Sequence, residues 1–256
     1  MKRPARAVCL AFALSLISSC GRPVAKSNEL TVAAAADLQP ALNEIAKSFE
    51  TETGTTVVIS YGSSGNLTQQ IENGAPFDVF AAANVSFVDS LVNMGLVDPA
   101  TKRVYAQGQI TLWQRKDSKI QVSSLADLAK PEVNHVAIAN PEHAPYGIAA
   151  IQALKSSGAY DQVKPKLVYA ENIAETLQFA ESGNADAAIV ARAISDRPDG
   201  KWTAIDGSLH QPINQAVCII KASRKPVIAR QFLDFLNKPE ALAVLKRYGF
   251  TIPGER

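Results

Sequence analysis

The chain has 256 residues, of which 47% are hydrophobic, 20% charged and 7% aromatic, with a mean hydropathy of zero. These values exclude a disordered chain and a polytopic membrane protein, and the length allows two ordinary domains. The net charge of +2 sits at the start: Lys2, Arg3 and Arg6 stand in residues 1–19 without an acid, and removing these three from 26 Lys and Arg leaves 23 against 24 Asp and Glu. A body near −1 has no basic footprint for nucleic acid and no polybasic patch for a membrane surface.

The basic start runs into the apolar stretch Ala7–Ile17, then Ser18, Ser19 and Cys20. That pattern is a secretory signal, too short to span a bilayer stably. Its end, Leu16-Ile17-Ser18-Ser19-Cys20, resembles a bacterial lipoprotein processing box, which would make Cys20 the lipidated first residue of the mature protein. Cleavage of an ordinary signal after Ala25 is the alternative. Residues 1–20 are therefore assigned as signal and 21–29 as a tether. Cys218 is left alone in the apolar run Ala216–Ile220, where a buried strand position is expected and no internal disulfide is possible.

From Leu30 onward, strand and helix patterns alternate. Leu30–Ala36 reads as a buried strand, and Pro40 opens a helix with Leu42, Ile45, Ala46 and Phe49 on one face, ending near Gly54. Thr55–Ser60 is a β-branched strand, followed by the loop Tyr61–Asn66 and a short helix through Leu67 and Ile71. Phe77–Ala83 (strand), Val85–Met94 (helix) and Val104–Trp113 (a long strand) complete the first unit. The second unit contains the short helix Leu125–Ala129, strand Val136–Ala139, helix Ile148–Ser157, strand Leu167–Tyr169, helix Ile173–Ser182 and strand Ala187–Val190. Arg197–Gly207 reads as a polar loop, Ile213–Lys221 as a long returning strand, and Val227–Asn237 and Pro239–Tyr248 as closing helices. This rhythm belongs to parallel sheets covered on both faces.

Ligands of open α/β sheets sit beyond the carboxyl ends of the strands. Four loops there lead into predicted helices: Ala36–Gln39, Tyr61–Asn66, Pro141–Gly147 and Ala170–Ile173. Helix starts offer unpaired N–H groups and partial positive charge, which suit an anion. None of the four loops contains Lys or Arg, so a compact oxyanion held by neutral donors fits better than a polyphosphate. Ser, Asn and Asp at these places also serve as ordinary N-caps. Gly62-Ser63-Ser64-Gly65 exceeds what a cap needs.

Enzyme motifs are sparse. Asn66 spoils a GxSxG elbow, and no GxxxxGK[ST], HExxH or CxxC occurs. Glu142-His143 lacks a second metal ligand at helical spacing. A Ser64–His143–Asp37 hydrolytic triad across a cleft rests on residue type alone.

With these loops identified, the chain resembles the periplasmic molybdate-binding proteins of ABC-type uptake systems. The resemblance runs from Leu30 to Pro253 and is carried by AAAADL (33–38), YGSSGNLTQQI (61–71), NGAPFDVFAAA (73–83), NPEHAPYG (140–147) and KRYGFTI (246–252). It implies an α/β fold of type II periplasmic-binding-protein kind: two doubly wound lobes joined by two crossover strands near Gly108 and Lys221. Lobe 1 would be 30–107 plus 222–256 and lobe 2 108–221, with the cleft between them. It further implies capture of molybdate or tungstate as cargo and delivery to an ABC permease by a cell-envelope protein. No enzymatic activity, resident cofactor or nucleic-acid partner is expected; the protein would be a monomer held to the membrane through Cys20. Carried over by position, the oxyanion contacts fall on Asp37, Ser64, Tyr146, Ile173 and Ala191, molybdenum being held only through its oxygens. Ser64 would give hydroxyl and N–H, Tyr146 and Ile173 their N–H groups.

Two of these positions depart from the family pattern, Asp37 standing for a serine and Ala191 for a tyrosine. An ionised carboxylate facing a dianion is repulsive. Asp37 is therefore expected to cap the following helix and offer only its N–H, with the Tyr146 hydroxyl or Asn66 replacing the lost tyrosine donor. The alternatives are that Asp37 accepts the proton of a phosphate, or adds a ligand to the central atom. A phosphate- or sulfate-binding protein of the same fold, and more remotely a secreted serine hydrolase, remain as rivals.

Overall fold

The computed structural model describes residues 28–254. The signal segment, Cys9, Cys20 and the tether up to residue 27 lie outside the described residues. In chain order the first elements are β1 (Glu29–Ala35), α1 (Gln39–Thr53), β2 (Thr56–Gly62), α2 (Ser64–Glu72), β3 (Val79–Ala82), α3 (Val85–Asn93) and β4 (Arg103–Gly108). They are followed by β5 (Ile110–Arg115), β6 (Val136–Ala139), α4 (Pro145–Ser156), α5 (Tyr160–Val163), β7 (Leu167–Ala170), α6 (Ile173–Glu181), β8 (Ala187–Ala191) and β9 (Gly200–Ala204). The chain returns through β10 (Ile213–Ile219) and closes with α7 (Pro226–Phe235) and α8 (Pro239–Arg247).

Two five-stranded sheets result, ordered β2-β1-β3-β10-β4 and β7-β6-β8-β5-β9. In each, three parallel strands are extended by antiparallel ones: β10 runs against β3 and β4, and β5 against β8 and β9. The central strands are alanine-rich and wholly buried, as strands covered on both faces must be. Helix α1 buries the predicted face, and Phe49 meets Phe232 and Phe235 of α7 edge-on, at 5.2 and 5.4 Å between ring centres. Cys218 is buried beside Phe80 in the first sheet, and burial pushes its thiol up to about 12.

The structure departs from the sequence reading in four places. The single strand read over Val104–Trp113 is two strands in different sheets, parted at Gln109, because β4 pairs with β10 and β5 with β8 and β9. The polar loop read over Arg197–Gly207 contains β9, whose few buried positions reflect its place at a sheet edge. The lobe boundary at Lys221 is displaced: β10 hydrogen-bonds within the first sheet, so the chain crosses back over 205–212. Finally, α2 begins at Ser64 and α4 at Pro145, so the candidate loop residues are themselves first helical turns.

Candidate functional site

The carboxyl ends of β1 and β2 in one lobe, and of β6 and β7 in the other, face each other across a small, nearly closed pocket. Its lining includes Asp37, Ser63 and Ser64 from the first lobe and Pro145, Tyr146 and Ile173 from the second, and no lysine or arginine. Ser64 is the first residue of α2, Ile173 the first of α6, and Tyr146 follows Pro145 at the start of α4. Helix geometry gives their N–H groups no intrahelical acceptor. Capping has been delegated to neighbours. Ser63 caps α2 by accepting from the Asn66 N–H, and Asn172 caps α6 by accepting from the N–H groups of Ala174 and Glu175. Ser64 is thereby spared; its buried Oγ accepts from the Ala83 N–H at 2.9 Å, which leaves its own O–H to donate.

The lobes are in contact around this pocket. The Gly65 N–H donates to the His143 carbonyl at 2.9 Å, and the Asn66 amide donates to the Glu171 carboxylate at 3.2 Å. Ser63 Oγ and His143 Nδ1 lie 2.9 Å apart. Beneath the pocket the Tyr146 hydroxyl donates to Asp37 Oδ2 at 2.8 Å, and the Gln215 amide donates to the same oxygen at 2.7 Å. A methyl at Gly108, in the crossover, would fall 2.1 Å from the Tyr146 hydroxyl, so the hinge backbone must be bare for this contact to form. Asp37 is completely buried, and burial raises its pKa to about 6 even though Tyr146, Gln215 and backbone N–H groups favour the ionised form.

Of the five expected contact positions, the structure brings Asp37, Ser64, Tyr146 and Ile173 together. Ala191 does not line the pocket. It ends β8 in the buried layer, and its carbonyl accepts from Ser195 Oγ. The expectation that Asp37 caps the following helix is corrected: α1 has no side-chain cap, and the carboxylate is drawn across the cleft floor by Tyr146 and Gln215. The Tyr146 hydroxyl is thus committed to Asp37, and the Asn66 amide reaches Glu171, so neither simply replaces a tyrosine donor. A Ser64–His143–Asp37 triad is not assembled, because His143 meets Ser63 and Asp37 meets Tyr146. The sequence reading missed Gln215 and Tyr105. Gln215 did carry a signal, being with Asn214 one of two polar residues in a strand that is apolar elsewhere, so that a buried partner is needed.

Residues 30–251 match the profile of the bacterial extracellular solute-binding proteins. The chain is 35% identical to the molybdate-binding protein of Rhodobacter capsulatus, over 94% of each chain. It is 36% identical to that of Azotobacter vinelandii, over 88% of this chain and 91% of the relative. The chain belongs to this solute-binding family, among the periplasmic molybdate-binding proteins. A solved structure of the Azotobacter vinelandii periplasmic molybdate-binding protein superposes with a TM-score of 0.82 at 32% identity, covering 88% of this chain and 99% of that one. Agreement over nearly the whole solved chain extends to both lobes, and the architecture is the two-lobed type II fold. A sulfate-binding protein of Mycobacterium tuberculosis shares the fold at TM-score 0.74 but only 16% identity, covering 88% of this chain and 87% of that one. Such a likeness speaks for architecture and not for cargo.

Proposed function

We propose that this protein captures molybdate or tungstate outside the cytoplasm and delivers the anion to an ABC permease. The observation that carries the reading is the convergence of three helix starts, at Ser64, Tyr146 and Ile173, on one small pocket lined by no cation. Helix N-termini and a serine hydroxyl can hold a compact dianion, whose charge is then met by partial charges fixed in the fold. Four or five hydrogen bonds of about 1.5–3 kcal/mol each support sub-micromolar binding. The names of the relatives support molybdate as cargo. A Bacillus subtilis relative, 32% identical over 88% of this chain, is named as a candidate ABC transporter substrate-binding lipoprotein, which supports lipid attachment here at Cys20.

In this reading the bound anion draws the lobes together, and the closed form is what the permease engages. The protein is a monomer without resident cofactor, and Ala191 is not a ligand. It performs no chemistry; that His143 bonds Ser63 and Ser64 Oγ bonds the Ala83 N–H supports binding over hydrolysis. One observation keeps phosphate in view: the buried Asp37 Oδ1 has no hydrogen-bond partner among the described residues and could accept the proton of hydrogenphosphate. Calorimetric titration of the purified protein with molybdate, tungstate, sulfate and phosphate decides between them. Tight 1:1 binding of molybdate and tungstate alone is expected. Binding of phosphate alone would overturn the cargo, and silence with all four would overturn the function.

A further inference from the structure

We propose that Asp37 makes anion capture proton-coupled: in the closed protein its Oδ1 carries a proton and donates it to the oxyanion, so one proton enters with each fully deprotonated dianion. This inference rests on the oxyanion reading above and concerns how the same pocket pairs charge. Asp37 lines the pocket and is wholly buried. Its two oxygens are not equivalent. Oδ2 already accepts from Tyr146 and Gln215, whereas Oδ1 finds no donor among the described residues. The backbone N–H groups of Asp37 and Leu38 give the ionised carboxylate some support, but an ionised Oδ1 has no hydrogen bond among the described residues and would lie beside a dianion. A protonated Oδ1 has the opposite requirement, an acceptor, and an oxyanion supplies one. The geometry therefore suits one shared proton between Asp37 and the anion. With molybdate the proton must come from solvent; with hydrogenphosphate it would arrive on the ligand.

Among the described residues, the groups packed around Asp37 are already engaged or point away from it, and none brings a cation to its carboxyl. Tyr105 of β4 and Tyr146 of α4 face Asp37, and burial, then the Asp37 charge, holds both hydroxyls well above their ordinary range. On α6, Glu175 turns back to the Glu171 N–H and Glu181 pairs with Arg197. Arg192, just after β8, pairs with Asp196 and stacks on Trp202. On α1, Glu44 pairs with Arg247, Glu50 accepts from the Val57 N–H, and Lys47 is exposed. When the lobes part, Tyr146 leaves with its lobe, water reaches the carboxyl and the proton is released. His143, which bridges the lobes beside Glu171, is the imidazole nearest the pocket and is therefore the control position.

Titration calorimetry with molybdate at pH 7.5, in buffers of different ionisation enthalpy, counts the protons. The intact protein should take up close to one proton per molybdate, with affinity falling up to tenfold per pH unit on the alkaline side. In Asp37→Asn the amide is a permanent donor, so the count should fall to zero and the pH slope should flatten. The variant would then bind more tightly than the intact protein at pH 9. Asp37→Ser, a smaller permanent donor, should show the same flat profile and covers the case in which the asparagine variant does not fold. His143→Asn should retain the uptake. Tight molybdate binding without uptake, or loss of uptake in His143→Asn alone, would overturn the proposal and leave the oxyanion reading standing. Failure of the intact protein to bind any oxyanion would remove both.

Discussion

The closed arrangement of the lobes makes a demand on Gly65 that an alanine substitution exposes. A methyl built there falls 2.7 Å from His143 Cβ and 2.8 Å from the His143 carbonyl oxygen, both on the opposite lobe. Real Cβ contacts are not that short, so the lobes must separate or the α2 start must shift. Overpacking of this kind costs about 1–3 kcal/mol, and loss of the 2.9 Å bond from the Gly65 N–H to His143 adds about 1 kcal/mol. Together these amount to about 2–4 kcal/mol, a weakening of molybdate binding by about 30- to 1,000-fold. The same change within the isolated lobe is favourable, because Gly65 lies in the first turn of α2, where alanine is the better helix former by up to about 1 kcal/mol. Calorimetric titration and a thermal melt of Gly65→Ala should therefore move in opposite directions: much weaker ligand binding, with an unchanged or slightly higher Tm for the ligand-free protein. Small-angle scattering should show that molybdate compacts the intact protein and not the variant. If Gly65→Ala binds and compacts like the intact protein, the lobes do not meet through Gly65 and His143 in the bound state, and the reasoning fails.

Three further outcomes follow from the packing. Ser64→Ala removes a ligand hydroxyl and the acceptor of the buried Ala83 N–H, so molybdate affinity should fall about ten- to hundredfold and Tm by a few degrees; unchanged affinity in a titration would exclude Ser64 from the contact. Gly200→Ala places a methyl 2.2 Å from the Trp113 ring, and a melt should show about 1–3 kcal/mol of destabilisation, with molybdate affinity little changed because the site lies elsewhere. Burial pushes the Asp78 carboxyl up, but Thr31, Ser223 and Lys225 outweigh this and hold it below the ordinary range. Its contribution is therefore complete above the unfolded Asp pKa of about 4 and is lost as pH falls. In a series of melts from pH 6 to pH 3, Asp78→Asn should be less stable at pH 6 and lose less stability on acidification than the intact protein.

Local pattern made most elements legible. The i, i+3, i+4 spacing of Leu42, Ile45, Ala46 and Phe49 marked α1, and the alanine- and valine-rich runs marked strands buried on both faces. The same reading failed where partners decide. Val104–Trp113 reads as one strand because alternation along a chain does not say which sheet a residue joins. Strand β9 escaped notice because an edge strand has a neighbour on one side only and shows a correspondingly weak apolar signal. The four loops were found because small and hydroxyl residues before helices have a local physical reason, the unpaired N–H groups of a first turn.

By itself the sequence determined the alternation of strand and helix, the absence of Lys and Arg in the four loops, and a pair of serines between glycines that exceeds what one cap needs. All are properties of neighbours along the chain. Only the tertiary structure decided the role of Asp37. As a residue before a helix it reads as a cap, yet Tyr146, 109 positions away, and Gln215, 178 positions away, draw its carboxylate to themselves through Oδ2 and leave Oδ1 without a hydrogen bond among the described residues. Likewise, Ala191 stands at a position where the family resemblance implies a ligand but lies off the pocket lining. Burial and hydrogen-bond partners depend on residues far apart in the chain, and these set the charge of a carboxyl group and the reach of a donor.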